Sequence, residues 1–234
     1  MFSPGDVISY ADMCAQEKRM LLAGMNYLCG GNYSVLLMSR RKGAPYEDTQ
    51  DEDRSLIYEG HDWPKSHEHP YPKQEDQPLK NTSGSLTQNG KFREAAIRHK
   101  GGGEEPQRVR VYEKIIRGVW VYNGVFLLRD AWVEKRNGRN VFKFRLELVD
   151  IEVDSVPGRI RDTDIVHARL IPSHVKQEVW KRDKGMCQHP GCGAKDNLHF
   201  DHILPYSKGG TSLKSENIQL LCVRHNLKKH DRIE

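Results

Sequence analysis

The sequence predicts an α+β fold in which a β-rich N-terminal part precedes a small module built around metal ligands. The strand pattern is clearest around Asn137-Gly138, a dipeptide that favours a tight hairpin turn. After this turn, residues 141–149 alternate in character, as expected for a strand with one buried face. The apolar face comprises Phe142, Phe144, Leu146 and Leu148, and the charged face comprises Lys143, Arg145 and Glu147. Closely spaced cysteine and histidine pairs in the last quarter of the chain indicate the second module.

The other N-terminal elements follow from the same kind of pattern. Residues 33–39 form an apolar run between turn-forming and basic residues and predict a strand. Residues 42–103 show little periodicity, so we predict long loops there, with mobile ones over residues 81–103. Strands return at residues 109–112 and 119–122, where apolar side chains alternate or run together.

The C-terminal elements are predicted from caps and helix breakers. Ser173 is a suitable N-cap for a helix that runs to about Asp183 and ends before Gly185. A strand pair is expected around Asp201, and a further helix over residues 215–229. A stretch rich in proline, glycine and mixed charges separates this module from the sheet. The predicted segments are an N-terminal domain at 1–150, a linker at 151–172 and a C-terminal domain at 173–234.

The composition limits the function classes that we consider. The 234 residues are 37% hydrophobic and 29% charged, and no apolar run approaches the roughly 18 residues of a membrane span. No basic segment followed by an apolar one opens the chain, so we expect a soluble, intracellular protein. The net charge is +5, and residues 91–145 hold 14 Lys/Arg against 6 Asp/Glu. Such a basic region suits a polyanion partner, or is simply solvated surface.

Four residues have the spacing of a structural zinc site. Cys187 and Cys192 form one pair, and Cys222 and His225 form the other, as in tetrahedral sites built from two close pairs. The chain has five cysteines, an odd number, and in a reducing compartment such clustering favours a metal over disulfides. His189 is a rival to Cys192 as the second ligand, although the turn residues that follow it favour Cys192.

A further group between these pairs has the chemistry that phosphodiester hydrolysis needs, namely a base for water and a cation for the phosphate. A neutral His202 could act as the base, and Asp201 and Asn226 offer oxygen ligands to a hard divalent ion. On a strand, Asp201 and His202 would point to opposite sides, so they can share one site only at a bend. Asn217 could fix the tautomer of the His202 ring. His230 lies one helical turn after Asn226 and faces the same way.

These residues resemble the HNH nuclease family, which has a ββα-metal fold. The matching motifs are His199-Phe-Asp-His-Ile-Leu-Pro205, Gly209-Gly210, Asn217-Ile-Gln-Leu-Leu-Cys222 and His225-Asn226-x-Lys228-Lys229. The resemblance covers about residues 180–232. Its one departure is His225, which stands where the family more often has a cysteine and which zinc accepts as a ligand.

The resemblance implies a role for each residue of the group. It implies that Asp201 and Asn226 bind a catalytic divalent cation such as Mg²⁺ or Mn²⁺. It implies that His202 is the general base and that Asn217 orients it. It places His230 at a position that in some members contacts metal or phosphate. The Cys/His quartet would then hold a structural Zn²⁺ as a zinc knuckle.

Two tyrosines in an acidic stretch are candidates for base recognition. Tyr46 and Tyr58 lie twelve residues apart, and two aromatic rings can sandwich a base that is flipped out of duplex DNA. Asp48 offers a carboxylate that can accept a hydrogen bond from the cytosine amine. By themselves, the tyrosines fit equally well as ordinary, half-buried side chains of an acidic loop.

A longer series of motifs resembles the SRA (SET and RING-associated) domain, a curved β barrel that flips modified cytosine out of DNA. The motifs are Asn32-Tyr-Ser-Val-Leu-Leu-Met38, Pro45-Tyr-Glu-Asp48, Tyr58-Glu-Gly-His-Asp62, Gln88-Asn-Gly-Lys-Phe92, Val109-Arg-Val-Tyr112, Val119-Trp-Val-Tyr-Asn-Gly-Val125 and Phe142-Lys-Phe-Arg-Leu146. The resemblance covers roughly residues 15–150. It implies that Tyr46 and Tyr58 stack on the base. The residue that hydrogen-bonds the base is then Asp48 or, in a shifted register, Thr49.

Both resemblances imply a double-stranded DNA partner, and Asn89-Gly90-Lys91 matches a loop that inserts into DNA near the vacated position. Together they resemble a modification-dependent restriction endonuclease of the bacterial cytoplasm. Such an enzyme would flip 5-methylcytosine, or 5-hydroxymethylcytosine, and hydrolyse nearby phosphodiester bonds. One HNH centre cuts one strand, so a double-strand break implies a homodimer. The alternatives are a non-catalytic reader of modified DNA with a structural zinc module, and an HNH nuclease for unmodified DNA.

Overall fold

The computed structural model describes residues 2–29, 31–40, 43–44, 46–50, 55–149, 170–205 and 208–229. His230 and most of the predicted linker lie outside these ranges. None of the helices in the described ranges has both the length and the apolar character needed to cross a membrane.

The N-terminal part is a curled sheet with the shape of a half-barrel. Its strands are β1 (Val7–Ile8), β2 (Met25–Asn26), β3 (Tyr33–Met38), β4 (Thr49–Gln50), β5 (Ser55–Glu59), β6 (Arg108–Ile116), β7 (Val119–Arg136) and β8 (Arg139–Leu148). The order across the sheet is β2-β3-β6-β7-β8-β5-β4, with β1 paired to β7. β3 runs parallel to β6, and the other pairs are antiparallel. Register shifts between Val111 and Tyr112, and between Leu128 and Asp130, add to the curl because bulges increase local bending.

The hairpin between β7 and β8 confirms the turn predicted at Asn137-Gly138. These residues have φ values of 48° and 81°, and Arg136 pairs with Arg139 across them, as a two-residue hairpin turn requires. The four apolar residues predicted for one face of β8 are all buried. The opposite face is less exposed than predicted, because Lys143 is buried and its Nζ lies 2.9 Å from Glu59 Oε2.

Helix α1 (Tyr10–Gln16) lies between β1 and β2, and helix α2 (Gln88–Lys100) lies where the sequence predicts mobile loops, so that prediction is wrong for residues 88–100. The Thr87 side chain caps α2 by accepting a hydrogen bond from the Gly90 amide. Gly90 is required by a close approach, because a Cβ there would lie 2.4 Å from the Leu79 carbonyl oxygen. The helix buries Phe92 against the sheet, and this tertiary contact outweighs the local turn signal.

The C-terminal module contains α3 (Ser173–Arg182), β9 (Leu198–His202), β10 (Ile218–Cys222) and α4 (Val223–Lys229). Helix α3 and the strand at Asp201 confirm the sequence predictions. Ser173 is not the N-cap, however, because Pro172 holds that position, Ser173 is the first residue of the helix, and no side-chain hydrogen bond caps it. The helix predicted over residues 215–229 is wrong in its first half, because Ile218–Cys222 pairs antiparallel with β9 instead. Within this run only Gln219 is partly exposed, so the burial pattern does not distinguish a strand from a buried helix. The pairing with β9 identifies the run as a strand.

The sheet and the C-terminal module share a hydrophobic core. Ile115 of β6 and Val121 of β7 belong to the same buried cluster as the apolar residues of α3, β9 and β10. The cluster members from the module include Val175, Val179, Leu198, Phe200, Ile218, Leu220 and Leu221. The two parts therefore pack directly against each other.

A buried polar contact crosses the same interface. The Lys176 ammonium of α3 lies 2.7 Å from Glu113 Oε2 and 2.7 Å from Asn123 Oδ1, and all three side chains are buried. The Lys176 ammonium holds the pKa of Glu113 below its ordinary value against the opposing effect of burial. Burying such a pair costs desolvation free energy. It also fixes how the two surfaces pack against each other, because in another alignment either charge would be buried without a partner.

The N-terminal segment joins the two sheets. The Gly5 amide donates to the Tyr122 carbonyl of β7, and the Gly5 carbonyl accepts from the Phe200 amide of β9. Next to it, Asp6 Oδ1 lies 2.9 Å from His199 Nδ1. Gly5 has a φ of 100°, and a Cβ there would lie 2.9 Å from the His199 ring, so the position requires glycine.

Candidate functional site

The four residues predicted to bind zinc come together in the structure. Their ligand atoms all lie within 4.8 Å of one another, and no other group of three or more such side chains is found in the described part of the chain. His225 Nδ1 lies 3.3 Å from Cys222 Sγ and 3.5 Å from Cys187 Sγ, and Cys192 Sγ lies 3.9 Å from Cys222 Sγ. A tetrahedron with Zn–S bonds of about 2.3 Å has edges of roughly 3.7 Å, so the quartet fits a zinc ion.

Local chain geometry brings the first pair of ligands together. The Cys187 amide donates to the Ala194 carbonyl, and the Cys192 amide donates to the His189 carbonyl, which closes the turn between them. His189 lies outside the quartet, and its ring instead stacks on His225 with centroids 3.8 Å apart. The structure therefore groups Cys192, and not His189, with the other ligands.

Asp201 and His202 lie at the end of β9, where the chain turns away from the strand. Lys229 is buried, and its Nζ lies 2.6 Å from Asp201 Oδ2 and also donates to the His202 carbonyl oxygen. His202 Nε2 lies 2.8 Å from Ser212 Oγ. Ser212 was not predicted, and the only available signal was its place just after the glycine pair at 209–210.

Asn217 does not contact the His202 ring as the sequence analysis expected. Its side chain accepts from the Leu204 amide at 2.8 Å and donates to the carbonyl oxygens of Leu204, at 3.1 Å, and Thr211, at 2.9 Å. It therefore holds together the loop that carries Ser212. Because the side-chain oxygen and nitrogen of Asn217 both bond backbone groups of this loop, the expected hydrogen bond to the His202 ring is not made.

Burial lowers the pKa of His202 below its ordinary value, and Lys229 lowers it further, while Asp201 raises it. The imidazole is therefore neutral at neutral pH, as a general base must be. The Lys229 ammonium pairs with the Asp201 carboxylate, so a divalent ion at Asp201 would share this carboxylate with the ammonium or displace it. Asp201 and the partly buried Asn226 supply the carboxylate and amide oxygens that a hard divalent ion prefers, so these donors fit the predicted ion.

The predicted base pocket lies at the β5 end of the sheet, and the Tyr58 ring is fully buried there. Tyr58 Oη donates to the Leu37 carbonyl at 3.3 Å. Tyr46 is partly buried, its Oη accepts from the Asp62 amide at 3.3 Å, and the Lys73 ammonium lies 4.1 Å from its ring centroid. Each tyrosine is therefore held by backbone groups in a defined orientation.

Asp48 and Thr49, the two candidates for bonding the base, have opposite environments. Asp48 is buried, and its Oδ1 accepts from the Glu59 amide at 3.1 Å. Thr49 is exposed and pairs with Ile57 across β4 and β5. Burial raises the pKa of Asp48 from its ordinary value to about 7, against the lowering effect of hydrogen bonds from the amides of Glu59 and Ser39.

His61 is a pocket residue that the sequence analysis missed. Its ring stacks on Tyr46, with centroids 4.7 Å apart and planes 9° from parallel. Its Nε2 lies 2.9 Å from Tyr58 Oη. The signal in the sequence was its position three residues after Tyr58, in the motif Tyr58-Glu-Gly-His-Asp62.

The segment Asn89-Gly90-Lys91 is not a loop, so the predicted DNA-inserting loop is wrong at this position. All three residues lie in the first turn of α2. Asn89 is buried and bonds the backbone of His61, while Lys91 is exposed. Asn89 therefore supports the pocket from behind.

Comparison with known families decides the identity of the two parts. A family model described as "SAD/SRA domain" matches residues 8–150, which is more than half of the chain. The chain belongs to the SAD/SRA domain family. A second family model, "HNH endonuclease", matches residues 186–232, a range that includes the Cys/His quartet, Asp201 and His202. The chain therefore combines an SRA domain with an HNH endonuclease domain. No curated protein matches it significantly.

Solved structures with a similar fold include several SRA domains. The SUVH5 SRA domain in a complex with hemimethylated CG DNA is 22% identical, with 69% of this chain and 90% of that chain covered and a TM-score of 0.42. The same domain bound to fully hydroxymethylated CG DNA is 22% identical, with the same coverage and a TM-score of 0.43. Arabidopsis thaliana SUVH6 in complex with SAM is 20% identical, with 87% of this chain and 32% of that chain covered and a TM-score of 0.43.

The raised pKa of Asp48 predicts a pH-dependent stability of the SRA domain. Below about pH 4 the carboxyl is protonated in both states. As the pH rises towards 7 it ionises readily only in the unfolded state, so the folded state loses stability. Asp48→Asn removes this loss. We expect the variant to gain on the order of 4 kcal/mol in the free energy of unfolding at pH 8, and less than half of that at pH 5.

Urea denaturation at both pH values measures this difference, with Thr49→Ala as the exposed neighbouring control. The control should show no difference between the two pH values beyond that of the wild type. A gain for Asp48→Asn that is equal at pH 5 and pH 8 would contradict a raised pKa.

Proposed function

We propose that the protein is a modification-dependent endonuclease. In this proposal its SRA domain flips 5-methylcytosine, or 5-hydroxymethylcytosine, out of duplex DNA, and its HNH domain hydrolyses phosphodiester bonds nearby. The observation that carries the proposal is the presence, in one chain, of a buried Asp48 beside two oriented tyrosines and of a neutral His202 beside Asp201. Free cysteines, with a quartet suited to zinc, fit a reducing compartment, which supports a cytoplasmic location.

Base recognition would use the two forms of Asp48. With a pKa of about 7, its carboxyl is present in both protonation states near neutral pH. The ionised form accepts a hydrogen bond from the cytosine amine, and the protonated form can donate one to a ring nitrogen. The 5-methyl group itself can contribute only about 1–3 kcal/mol to the discrimination between modified and unmodified cytosine, so the pocket must also exclude bases that fit it poorly.

Hydrolysis would begin with proton transfer from water to His202. Because His202 Nε2 is bonded to Ser212, Nδ1 is the ring nitrogen that would receive the proton. Asn217 contributes by holding the loop of Ser212, and hence the ring, in place. A Mg²⁺ or Mn²⁺ ion held by Asp201 and Asn226 would stabilise negative charge on the phosphate and on the leaving oxygen. One such centre cuts one strand, so we propose that a homodimer makes a double-strand break.

Digestion of one plasmid in methylated and unmethylated form, with Mg²⁺ or Mn²⁺ added, tests the proposal. We expect cutting of the methylated copy only. Equal cutting of both copies would indicate a nuclease for unmodified DNA. Selective binding without any cutting would indicate a non-catalytic reader.

A further inference from the structure

His61 occupies a position for which the proposed function has no role. Its ring lies parallel to the Tyr46 ring at 4.7 Å, which is the contact that a stacked base would make. The same ring lies 6.0 Å from the Tyr58 ring centroid and is bonded to Tyr58 Oη at 2.9 Å. The imidazole thus contacts both of the rings that would sandwich a flipped base.

The backbone of His61 is held in place, so only its side chain can move. Its amide donates to Asn89 Oδ1 at 2.9 Å, and Asn89 Nδ2 donates to its carbonyl at 2.8 Å. Asn89 is buried and is held in turn by the Pro78 carbonyl. The ring packs on Gly24, where a Cβ would lie 2.7 Å from the imidazole and 2.9 Å from Tyr58 Oη.

The imidazole has the surfaces of a pyrimidine base. It is flat and aromatic, and it carries one donor and one acceptor nitrogen when neutral. Burial lowers its pKa to about 4, so it is uncharged near neutral pH. A neutral ring can leave the tyrosines for a neighbouring cavity without the desolvation cost of moving a cation.

A cavity beside the ring offers such a place. It measures about 480 Å³, and its lining combines the apolar side chains of Trp63 and Leu86 with polar and charged ones such as Asn89, Asp62 and Lys91. Trp63 stacks on His69 along this cavity, with centroids 4.2 Å apart. Rotation of the His61 side chain about its fixed backbone would carry the ring from the tyrosines towards this space.

We propose that His61 is a placeholder in the base pocket, and that its ring must rotate into the adjacent cavity before a flipped base can stack on Tyr46. The inference rests on the proposed base-flipping function. It assigns His61 to specificity, because a base must replace both the stacking and the Tyr58 hydrogen bond that the imidazole supplies. A base that fits poorly fails to displace the ring.

The test compares full-length wild type with His61→Ala for binding to a duplex that carries one 5-methylcytosine and to its unmodified copy. If the placeholder fills the pocket in about nine molecules of ten, its removal should tighten binding of the methylated duplex about tenfold. His99→Ala, at the far end of α2, is the control and should bind as the wild type does. Equal or weaker binding by folded His61→Ala would overturn the proposal.

A second variant covers the case in which His61→Ala does not fold. His61→Phe keeps a ring on Tyr46 but cannot bond Tyr58, and its larger ring should rotate out more slowly. We expect slower association with the methylated duplex, measured by stopped-flow fluorescence of 2-aminopurine beside the modified base. Association as fast as that of the wild type would overturn the placeholder. If the wild type itself does not distinguish the two duplexes, the proposed function fails instead.

Discussion

Replacing His202 with alanine is expected to reduce DNA cleavage about 10²–10⁴-fold, the usual contribution of a general base. The ring lies beside Asp201, is bonded to Ser212, and has a pKa lowered by burial. Binding of methylated DNA should be unchanged, because the side chain lies in the HNH domain and not in the SRA pocket. Single-turnover cleavage and fluorescence anisotropy on the same duplex measure the two properties separately.

Two further measurements distinguish a base from a structural residue. Ser212→Ala should reduce cleavage less than His202→Ala, because it removes a hydrogen bond to the ring but leaves the imidazole itself in place. His174→Ala, an exposed histidine of α3, is the matched control and should cleave normally. The ordinary pKa of a histidine is about 6.5, and that of His202 is lower. In the wild type, the cleavage rate should therefore stay level as the pH falls to 6.5 and decline only below it, where the imidazole becomes protonated and can no longer accept a proton. Residual cleavage by His202→Ala within a few-fold of the wild type would exclude this histidine as the base.

If the Cys/His quartet holds zinc as predicted, the loss of one ligand is expected to unfold the HNH domain and abolish cleavage. Structural zinc sites contribute apparent binding energies of about 10–16 kcal/mol to small domains, so the loss of one ligand removes a large part of their stability. Cys222→Ser breaks the quartet at a residue that contacts both Cys192 and His225. Binding of methylated DNA should persist, because the main cluster of the SRA sheet, which includes Leu36, Leu56, Phe126 and Phe144, does not use this metal.

Zinc content by mass spectrometry, limited proteolysis and DNA binding test this expectation together. Cys14→Ser is the matched control, since Cys14 is a free cysteine outside the quartet, and this variant should keep its zinc and its cleavage. A Cys222→Ser protein with full zinc content and protease resistance would show that the quartet does not hold the metal. Loss of methylated-DNA binding as well would show that the shared core, through Ile115 and Val121, makes the two domains one folding unit.

Local patterns were sufficient for much of the fold. The β7–β8 hairpin and the buried face of β8 were predicted because a turn dipeptide and an alternation act over a few residues. The extent of α3 was predicted as well, although Ser173 is its first residue and not its N-cap. Helix α2 was missed, because its Asn-Gly pair has the form of a turn and the contacts that decide for a helix come from Leu79 and from the sheet. Residues 215–222 were predicted as helix because only their pairing with β9 identifies them as a 3₁₀ turn and a strand.

The Cys/His quartet could be predicted from the chain alone, because ligand type and spacing specify such a site within a short stretch of residues. Asp201 and His202 were singled out by the same short-range pattern. The neighbours that complete each site depend on contacts between distant parts of the chain, and these appear only in the folded structure. It placed Ser212, and not Asn217, against His202, and it placed His61 between the pocket tyrosines and Asn89. It also placed Asp6 against His199, 193 residues away, and Lys176 against Glu113. Such contacts depend on how the whole sheet curls and packs, and no local periodicity encodes that packing.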